Sequence, residues 1–360
     1  MSADSGATTT ELATLPGLET VEAVQPAPER GHWLRRGPEG KLMIFSGRSN
    51  VDLAGRIADK LNIELGDVHL KTFANGEVYC RFGESIRGAD VFLVQSCAGA
   101  ATNDHLVELL IMIDAARLAS ANRITAVMPW YPYSRQDKKS APREPITAKL
   151  VAACLEKAGV DRVLTMDLHA GQIQGFFSIP VDHMTALPLF AQYYRDKGLS
   201  GERVVAVAPD PGRGKMTTRF AQFLEADVAY MSKARPDHDV AEVAEVIGRE
   251  RVRGKVAILV DDLIVTGSTL IAATRALLDS GASDVYACAT HGLFPPRALE
   301  RLVESELVEV TVTDTVALDP LTTPDKIRVL TVSGLLADTV HNVFAGESVS
   351  EIFHGENQLF

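Results

Sequence analysis

Nowhere in the chain do apolar residues run for the ~20 positions that a membrane-spanning helix needs, so no bilayer span and no membrane partner are expected. Positive charge is scarce beside negative: 36 lysines and arginines face 47 aspartates and glutamates, a formal net charge of −11. DNA and RNA are held by clustered cations, so this balance argues against a nucleic-acid partner. It leaves room for small anionic ligands, which need only a local positive pocket. Cysteine is sparse, and Cys80, Cys97, Cys154 and Cys288 form no CxxC pair. They read as buried free thiols in a reducing cytoplasm. The first stretch lacks both a basic start and an apolar core, so it is neither a signal nor a transit peptide. Rich in Ala, Thr, Glu, Pro and Gly, it buries too little to offset chain entropy. Residues 1–40 are therefore expected to form a disordered tail, ending near Gly37.

What is present is ordinary globular material. The 360 residues, 46% hydrophobic and 23% charged, suffice for about two domains. From Lys41 onward, short β-branched runs alternate with helical patterns. Strand candidates cover 41–47, 91–96, 124–130, 162–168, 204–209, 256–262, 285–290, 308–314 and 327–332. Most are apolar throughout rather than alternating, as strands covered on both faces require. Between them, 104–120 places Leu106, Leu109, Leu110, Ile113 and Leu118 on one helical stripe. Segments 216–226 and 268–281 read the same way, the last stopped by Gly281. The alternation implies a doubly wound, mainly parallel α/β sheet, and the pattern runs twice, over 41–186 and 187–340. The remaining 341–360 is expected to be an appendage or strap.

The most informative string is VAILVDDLIVTGSTL. An apolar strand ends in adjacent acids, Asp261 and Asp262, and a short turn leads to Thr-Gly-Ser-Thr opening a helix. Carboxylates at a strand's C-terminal edge can accept hydrogen bonds from ribose hydroxyls. Gly267, flanked by Thr266, Ser268 and Thr269, lets backbone N–H groups close around a 5-phosphate at a helix N-terminus, where the dipole favours an anion. An ordinary strand–turn–helix connection with an Asp cap is the bland alternative. A Walker P-loop is excluded: in GRGK (212–215), Met216 follows the lysine and Pro209 stands at the first glycine position.

The string resembles the PRPP-binding loop of the phosphoribosyltransferase fold. From about Leu42 to Phe353 the chain resembles the ribose-phosphate pyrophosphokinase family. KTFANGEVYCRFGESIRGAD, YPYSRQDKKSAPREPITAKL and MDLHAGQIQGFFSIPVDH carry that likeness. It implies two phosphoribosyltransferase-like doubly wound domains, an ATP side and a ribose 5-phosphate side. By the same resemblance, Phe73, Asn75, Gly76 and Glu77 contact adenine, although NGE alone also suits a hairpin turn. Arg135 and Gln136 bind ATP, and a guanidinium can clamp phosphate oxygens bidentately. His169 and Asp210 hold Mg²⁺ around the triphosphate, an unusual use of histidine for so hard an ion. Gly212–Lys215 wraps the pyrophosphate, where Arg213 would meet negative charge. Lys233 and Arg235 sit at the catalytic positions of a flexible loop, and Arg235 also at the ribose 5-phosphate. Asp261, Asp262, Val265, Thr266, Gly267, Ser268 and Thr269 hold that sugar.

The implied reaction transfers the β,γ-pyrophosphoryl group of ATP to the anomeric hydroxyl of ribose 5-phosphate, giving PRPP and AMP. A homodimer is the expected minimum and a hexamer the expected assembly, because the adenine contact comes partly from a neighbouring subunit. Ser85, Arg87, Arg143, Ser348 and Ser350 resemble an intersubunit effector site for phosphate or ADP. Val265 departs from the family, most members of which carry Asp there. That substitution leaves open a weakly active regulatory paralogue; a phosphoribosyltransferase would leave the segments at Phe73 and Arg135 without purpose.

Overall fold

A computed structural model of the chain describes residues 34–36, 40–234 and 243–353. Most of the expected tail therefore lies outside the described residues. Within its last part, Leu34–Arg36 (β1) pairs antiparallel with Gly40–Ser46 (β2).

The chain continues through α1 (Val51–Lys60), β3 (Val68–Thr72), β4 (Val78–Phe82), β5 (Asp90–Val94), α2 (Thr102–Leu118) and β6 (Arg123–Met128). Next come α3 (Thr147–Ala158), β7 (Arg162–Met166), β8 (Val181–Met184) and α4 (Leu187–Asp196). The second half holds β9 (Val204–Ala208), α5 (Gly214–Leu224), β10 (Asp227–Ala234), β11 (Val243–Ile247), α6 (Arg249–Val252) and β12 (Val256–Ile264). It closes with α7 (Ser268–Asp279), β13 (Asp284–Gly292), α8 (Ala298–Glu304), β14 (Glu309–Thr313), β15 (Ile327–Leu330) and α9 (Ser333–Ala345).

Two sheets result. The first has order β1-β2-β5-β6-β7-β8, parallel except for β1. The second has order β11-β10-β9-β12-β13-β14-β15, parallel except for β11. In the second sheet the chain leaves β9 towards β10 on one side and returns to β12 on the other. Such a reversal of strand order opens a crevice at the strands' carboxyl ends, and in doubly wound sheets that crevice is where ligands bind.

Apolar strands demand cover on both faces, and alternate residues supply it. In β2, Met43 and Phe45 face one side with α2 and α3, while Leu42 and Ile44 face the other. That second side is shared. Leu42, Ile44, Phe92 and Leu164 of the first sheet belong to one buried cluster with Val204, Ala206, Ile258 and Val260 of the second, joined through α1, α4, α5 and α9. Beyond the second sheet, Val205, Val207 and Leu259 pack against Leu270 and Leu277 of α7 and Leu302 of α8. The core is thus layered helix, sheet, helix, sheet, helix, with the middle helices common to both halves.

Polar groups also stitch the sheets together. Thr290 Oγ1 donates to Asp167 Oδ2 (2.6 Å), Asn50 Nδ2 to Asp314 O (2.7 Å), and Ser96 Oγ to Thr315 O (2.5 Å). Fully buried His291 lies with Nε2 3.2 Å from Met166 O and Nδ1 2.9 Å from Thr315 Oγ1, its ring edge-on to Trp130. Each of these bonds satisfies a group that would be costly to bury alone.

Two expectations need correction. The stripe on α2 does not extend to Leu118, which is 70% exposed; Leu109, Met112, Ile113 and Ala116 make the buried face instead. The strand expected over 162–168 stops at Met166, because Asp167 turns to positive φ (31°) and receives the N–H of Ala186. His169 consequently stands in a loop, on a different path from buried Asp167. Among the described residues, no helix is long and apolar enough to cross a membrane.

Candidate active site

A pocket of about 310 Å³ opens at the reversal of strand order. Its lining joins the end of β9 (Asp210), the start of α5 (Arg213), the end of β12 (Asp261, Asp262) and the turn Val265–Thr269 into α7. From the first half come Arg135, beyond β6, and His169, beyond β7. Residues spread over 135 positions of sequence meet here because both parallel sheets present their carboxyl ends to the same crevice.

The two adjacent acids are unequal. The side chain of Asp262 is 3% exposed, with Oδ2 2.7 Å from His169 Nδ1 and Oδ1 3.1 Å from Arg213 Nη2. The side chain of Asp261 is 15% exposed, with Oδ1 3.2 Å from Arg213 Nε and accepting from the Asp262 N–H at 2.8 Å. Burial, with the neighbouring Asp262 carboxylate, pushes the Asp261 carboxyl well above the usual carboxylate range. Burial opposes ionisation of Asp262 too, but the hydrogen bond from His169 and the Arg213 charge hold it below that range. Two carboxyls so close cannot both ionise freely, and the pair keeps one proton over a wide range of pH.

Arg213 is the hub of this cluster. Its Nη1 donates to His169 O (3.2 Å), and the rest of the guanidinium faces both aspartates, so it is committed inside the protein rather than held ready in the loop. Only its one-dimensional place in GRGK was visible beforehand; the pairing depends on how β9 and β12 lie side by side. His169 Nδ1 is engaged from two sides, 2.7 Å from Asp262 Oδ2 and 2.8 Å from Arg213 Nη2, and Nε2 is the ring nitrogen left without a protein partner among the described residues.

The donor set can be tested against a divalent cation. Asp210 uses Oδ1 to receive the Gly212 N–H (2.7 Å), and its other oxygen has no protein partner among the described residues. Among those residues no three His, Cys, Asp or Glu side chains form a ready metal cage. One open carboxylate and one open imidazole fit Mg²⁺, which keeps several waters and takes its remaining ligands from substrate phosphates.

The turn into α7 is shaped by Gly267 at φ 73°, the residue preceding that helix. A β-carbon there would fall 2.8 Å from Leu302 Cδ2, so glycine is required by both conformation and space. Thr266 Oγ1 and Ser268 Oγ lie 3.0 Å apart, and Arg301 Nη2 donates to Ser268 Oγ at 2.9 Å. Arg301 is thirty-three positions downstream, and no local pattern linked it to the loop. Val265 packs on a small apolar cluster of Ala98, Trp130, Leu263 and Val316.

Other expected residues lie elsewhere. Phe73 to Glu77 form the turn between β3 and β4: Gly76 N donates to Phe73 O, Phe73 N to Glu77 O, and Gly76 takes φ 90°. None of Phe73, Asn75, Gly76 and Glu77 lines the pocket. Phe73 is 44% exposed and its ring meets Tyr79 edge-on, with the Lys71 ammonium 4.8 Å from its centroid. Gln136 accepts from Thr147 Oγ1 (2.5 Å) and does not line the pocket either. Lys233 is in β10, in register with Ala244 of β11, and Arg235 lies outside the described residues. Ser85 and Arg87 line a separate hollow of about 400 Å³ that includes none of Arg143, Ser348 and Ser350. Ser348 and Ser350 instead pair through their hydroxyls at 2.7 Å.

Fold and pocket together define a phosphoribosyltransferase-like α/β protein with an acidic, hydroxyl-rimmed crevice. Residues 42–159 match the N-terminal domain of ribose phosphate pyrophosphokinase, and residues 236–354 match the phosphoribosyl synthetase-associated domain. The ribose-phosphate pyrophosphokinase of Caldanaerobacter subterraneus subsp. tengcongensis is 51% identical over 312 residues, spanning 87% of this chain and 98% of that one. That of Fusobacterium nucleatum is 47% identical over 313 residues, again spanning 87% and 98%. The crystal structure of phosphoribosylpyrophosphate synthetase from Mycobacterium smegmatis superposes with a TM-score of 0.78 at 42% identity, covering 85% of this chain and 99% of that one. The chain belongs to the ribose-phosphate pyrophosphokinase family.

Proposed function

We infer that the protein makes PRPP and AMP from ATP and ribose 5-phosphate, with the sugar's anomeric hydroxyl attacking the β-phosphorus in line. The observation that carries this reading is the single pocket wall joining Arg135 and His169 of one half to Asp210, Asp261 and Val265–Thr269 of the other. A reaction between two phosphorylated substrates needs such a meeting, because positioning and charge neutralisation supply most of the rate.

In this reading Asp261, the more open acid, meets the ribose hydroxyls; its protonated form can donate to one while still accepting from another. Asp262 is the buried partner that fixes His169 and Arg213. Val265 to Thr269 receive the 5-phosphate, with backbone N–H groups at the head of α7 directed at the anion. Arg135 and Gln136 serve the ATP phosphates. Lys233 and Arg235 stabilise charge on the group in transfer. His169 and Asp210 would hold Mg²⁺, which when bound neutralises triphosphate charge.

Phe73, Asn75, Gly76 and Glu77 stand apart from the pocket, with an exposed aromatic face and a cation above it. This fits a hairpin that serves adenine in a neighbouring subunit, so we propose a homodimer as minimum and a hexamer as assembly. Ser85, Arg87, Arg143, Ser348 and Ser350 would then meet across subunits to take phosphate or ADP. The halves 41–186 and 187–340, with the segment 341–360, are proposed as the ATP side, the sugar side and a closing strap. Four free thiols suit a cytoplasmic setting.

The test is incubation of the purified full chain with Mg-ATP and ribose 5-phosphate, followed by assay of AMP and PRPP. Stoichiometric formation of both is expected; no AMP at any phosphate concentration would sink the reading in favour of the regulatory paralogue that Val265 raises. Lys233→Ala is expected to lower turnover by about a hundredfold or more with nucleotide affinity changed less than about threefold. Unchanged turnover would remove Lys233 from the mechanism.

A further inference from the structure

The loop assigned to the 5-phosphate has no charge of its own. Val265, Thr266, Gly267, Ser268 and Thr269 are all neutral, yet a sugar phosphate brings close to two negative charges. Helix-terminal amides offset part of that. The structure shows where more positive charge comes from. Helix α8 lies under the loop and touches it with two consecutive residues: Leu302 fills the space beside Gly267, and Arg301 Nη2 donates to Ser268 Oγ at 2.9 Å. Among the described residues the Arg301 guanidinium makes no ion pair, so its charge is not cancelled by a carboxylate.

The direction of this hydrogen bond matters. Guanidinium nitrogens only donate, so Ser268 Oγ is the acceptor and must aim its own hydrogen elsewhere. One available direction is Thr266 Oγ1, 3.0 Å away across the mouth of the loop. An anion seated between these hydroxyls would take that hydrogen instead. We propose that Arg301 is a positioning residue for ribose 5-phosphate, holding Ser268 as a donor to the 5-phosphate and supplying the positive charge that the loop itself lacks. Arg301 does not line the pocket and reaches the anion through Ser268. The proposal rests on the pyrophosphokinase reading and names a residue outside the strings that suggested it.

The experiment compares wild type, Arg301→Gln, Ser268→Ala and the double variant in steady-state formation of AMP. Absence of product in the wild type would count against the proposed function, whereas the proposal about Arg301 is judged by differences between active proteins. Arg301→Gln is expected to raise KM for ribose 5-phosphate about 10-fold, with kcat and KM for ATP within about threefold, since a charge-assisted contact to bound sugar is lost. The double variant should be little worse than Ser268→Ala alone, because Arg301 acts through that hydroxyl. An unchanged KM for the sugar, an equal rise in KM for ATP, or fully multiplicative effects in the double variant would each overturn the proposal. If Arg301→Gln fails to fold, Arg301→Lys decides: it keeps the charge and stem but loses the fork, and KM for the sugar should rise about threefold. No rise with the lysine variant would also overturn it.

Discussion

Val265 lines the pocket beside Thr266 while its side chain rests on Ala98, Trp130, Leu263 and Val316. The sequence marked this residue as a departure from its relatives but could not say what a valine does there. Its neighbours answer in physical terms: the wall is apolar at that point, and a carboxylate would sit against it near two other acids. Val265 is half-buried, so Val265→Asp is expected to lower stability by about 1 kcal/mol through partial desolvation of an unpaired carboxylate, read as an earlier urea midpoint with an unchanged slope. An unchanged midpoint would show that the wall yields to water. Arg213 teaches the converse lesson. Its place in GRGK was plain, but whether its guanidinium faced outward or paired with Asp261 and Asp262 depended on packing between β9 and β12, which no short string records.

At the scale of elements, the turn at Val265–Thr269 and its helix were the most legible part, because an apolar strand, two acids, a glycine and a helical stripe follow in unbroken order. Strands β2, β5, β6, β9 and β12 were legible for a similar reason: each is largely buried on both faces and so apolar along most of its length. Strands β3 and β4 were not, since VHLKT and VYCRF are half-exposed and carry Lys71 and Arg81 outward. Only the turn between them, at Asn75-Gly76, stood out. Gly267 offers a test of the loop itself. Gly267→Ala places a β-carbon against Leu302 at positive φ, and about 1–2 kcal/mol of strain is expected. Because the strain falls where the sugar phosphate is proposed to bind, KM for ribose 5-phosphate should rise about 10-fold while that for ATP holds, measured by AMP release. Equal shifts in both would show that the damage spreads beyond the loop.

Across the whole molecule, the seam between the sheets depends on neutral His291. Burial lowers its pKa to about 4, against some opposition from Asp262 and the backbone carbonyls of Asp167 and Met166. In the unfolded chain the ring takes a proton near its ordinary pKa of about 6.5. The folded state refuses that proton, so stability is full above that value and falls as pH drops from there towards 4. The slope should approach about 1.4 kcal/mol per pH unit for this ring, measured by urea unfolding at several pH values. His291→Gln should flatten that part of the curve; a curve equally steep without the imidazole would assign the loss to other groups. The doubly wound class was legible from alternation of strand and helix, and the repetition of that pattern from layout. The contact between the repeats was not, because helices α1, α4, α5 and α9 each look like ordinary covers for a single sheet.

That shared middle layer sets a limit on exchange. A half transplanted from a relative would bring one wall of the layer without the residues that grew up against it. Leu42 and Ile44 would meet an unfamiliar counterpart to Val204 and Ile258, whatever the quality of the grafted pocket. A change at this seam in either half is therefore constrained by the packing of the other, and the two halves are not interchangeable modules.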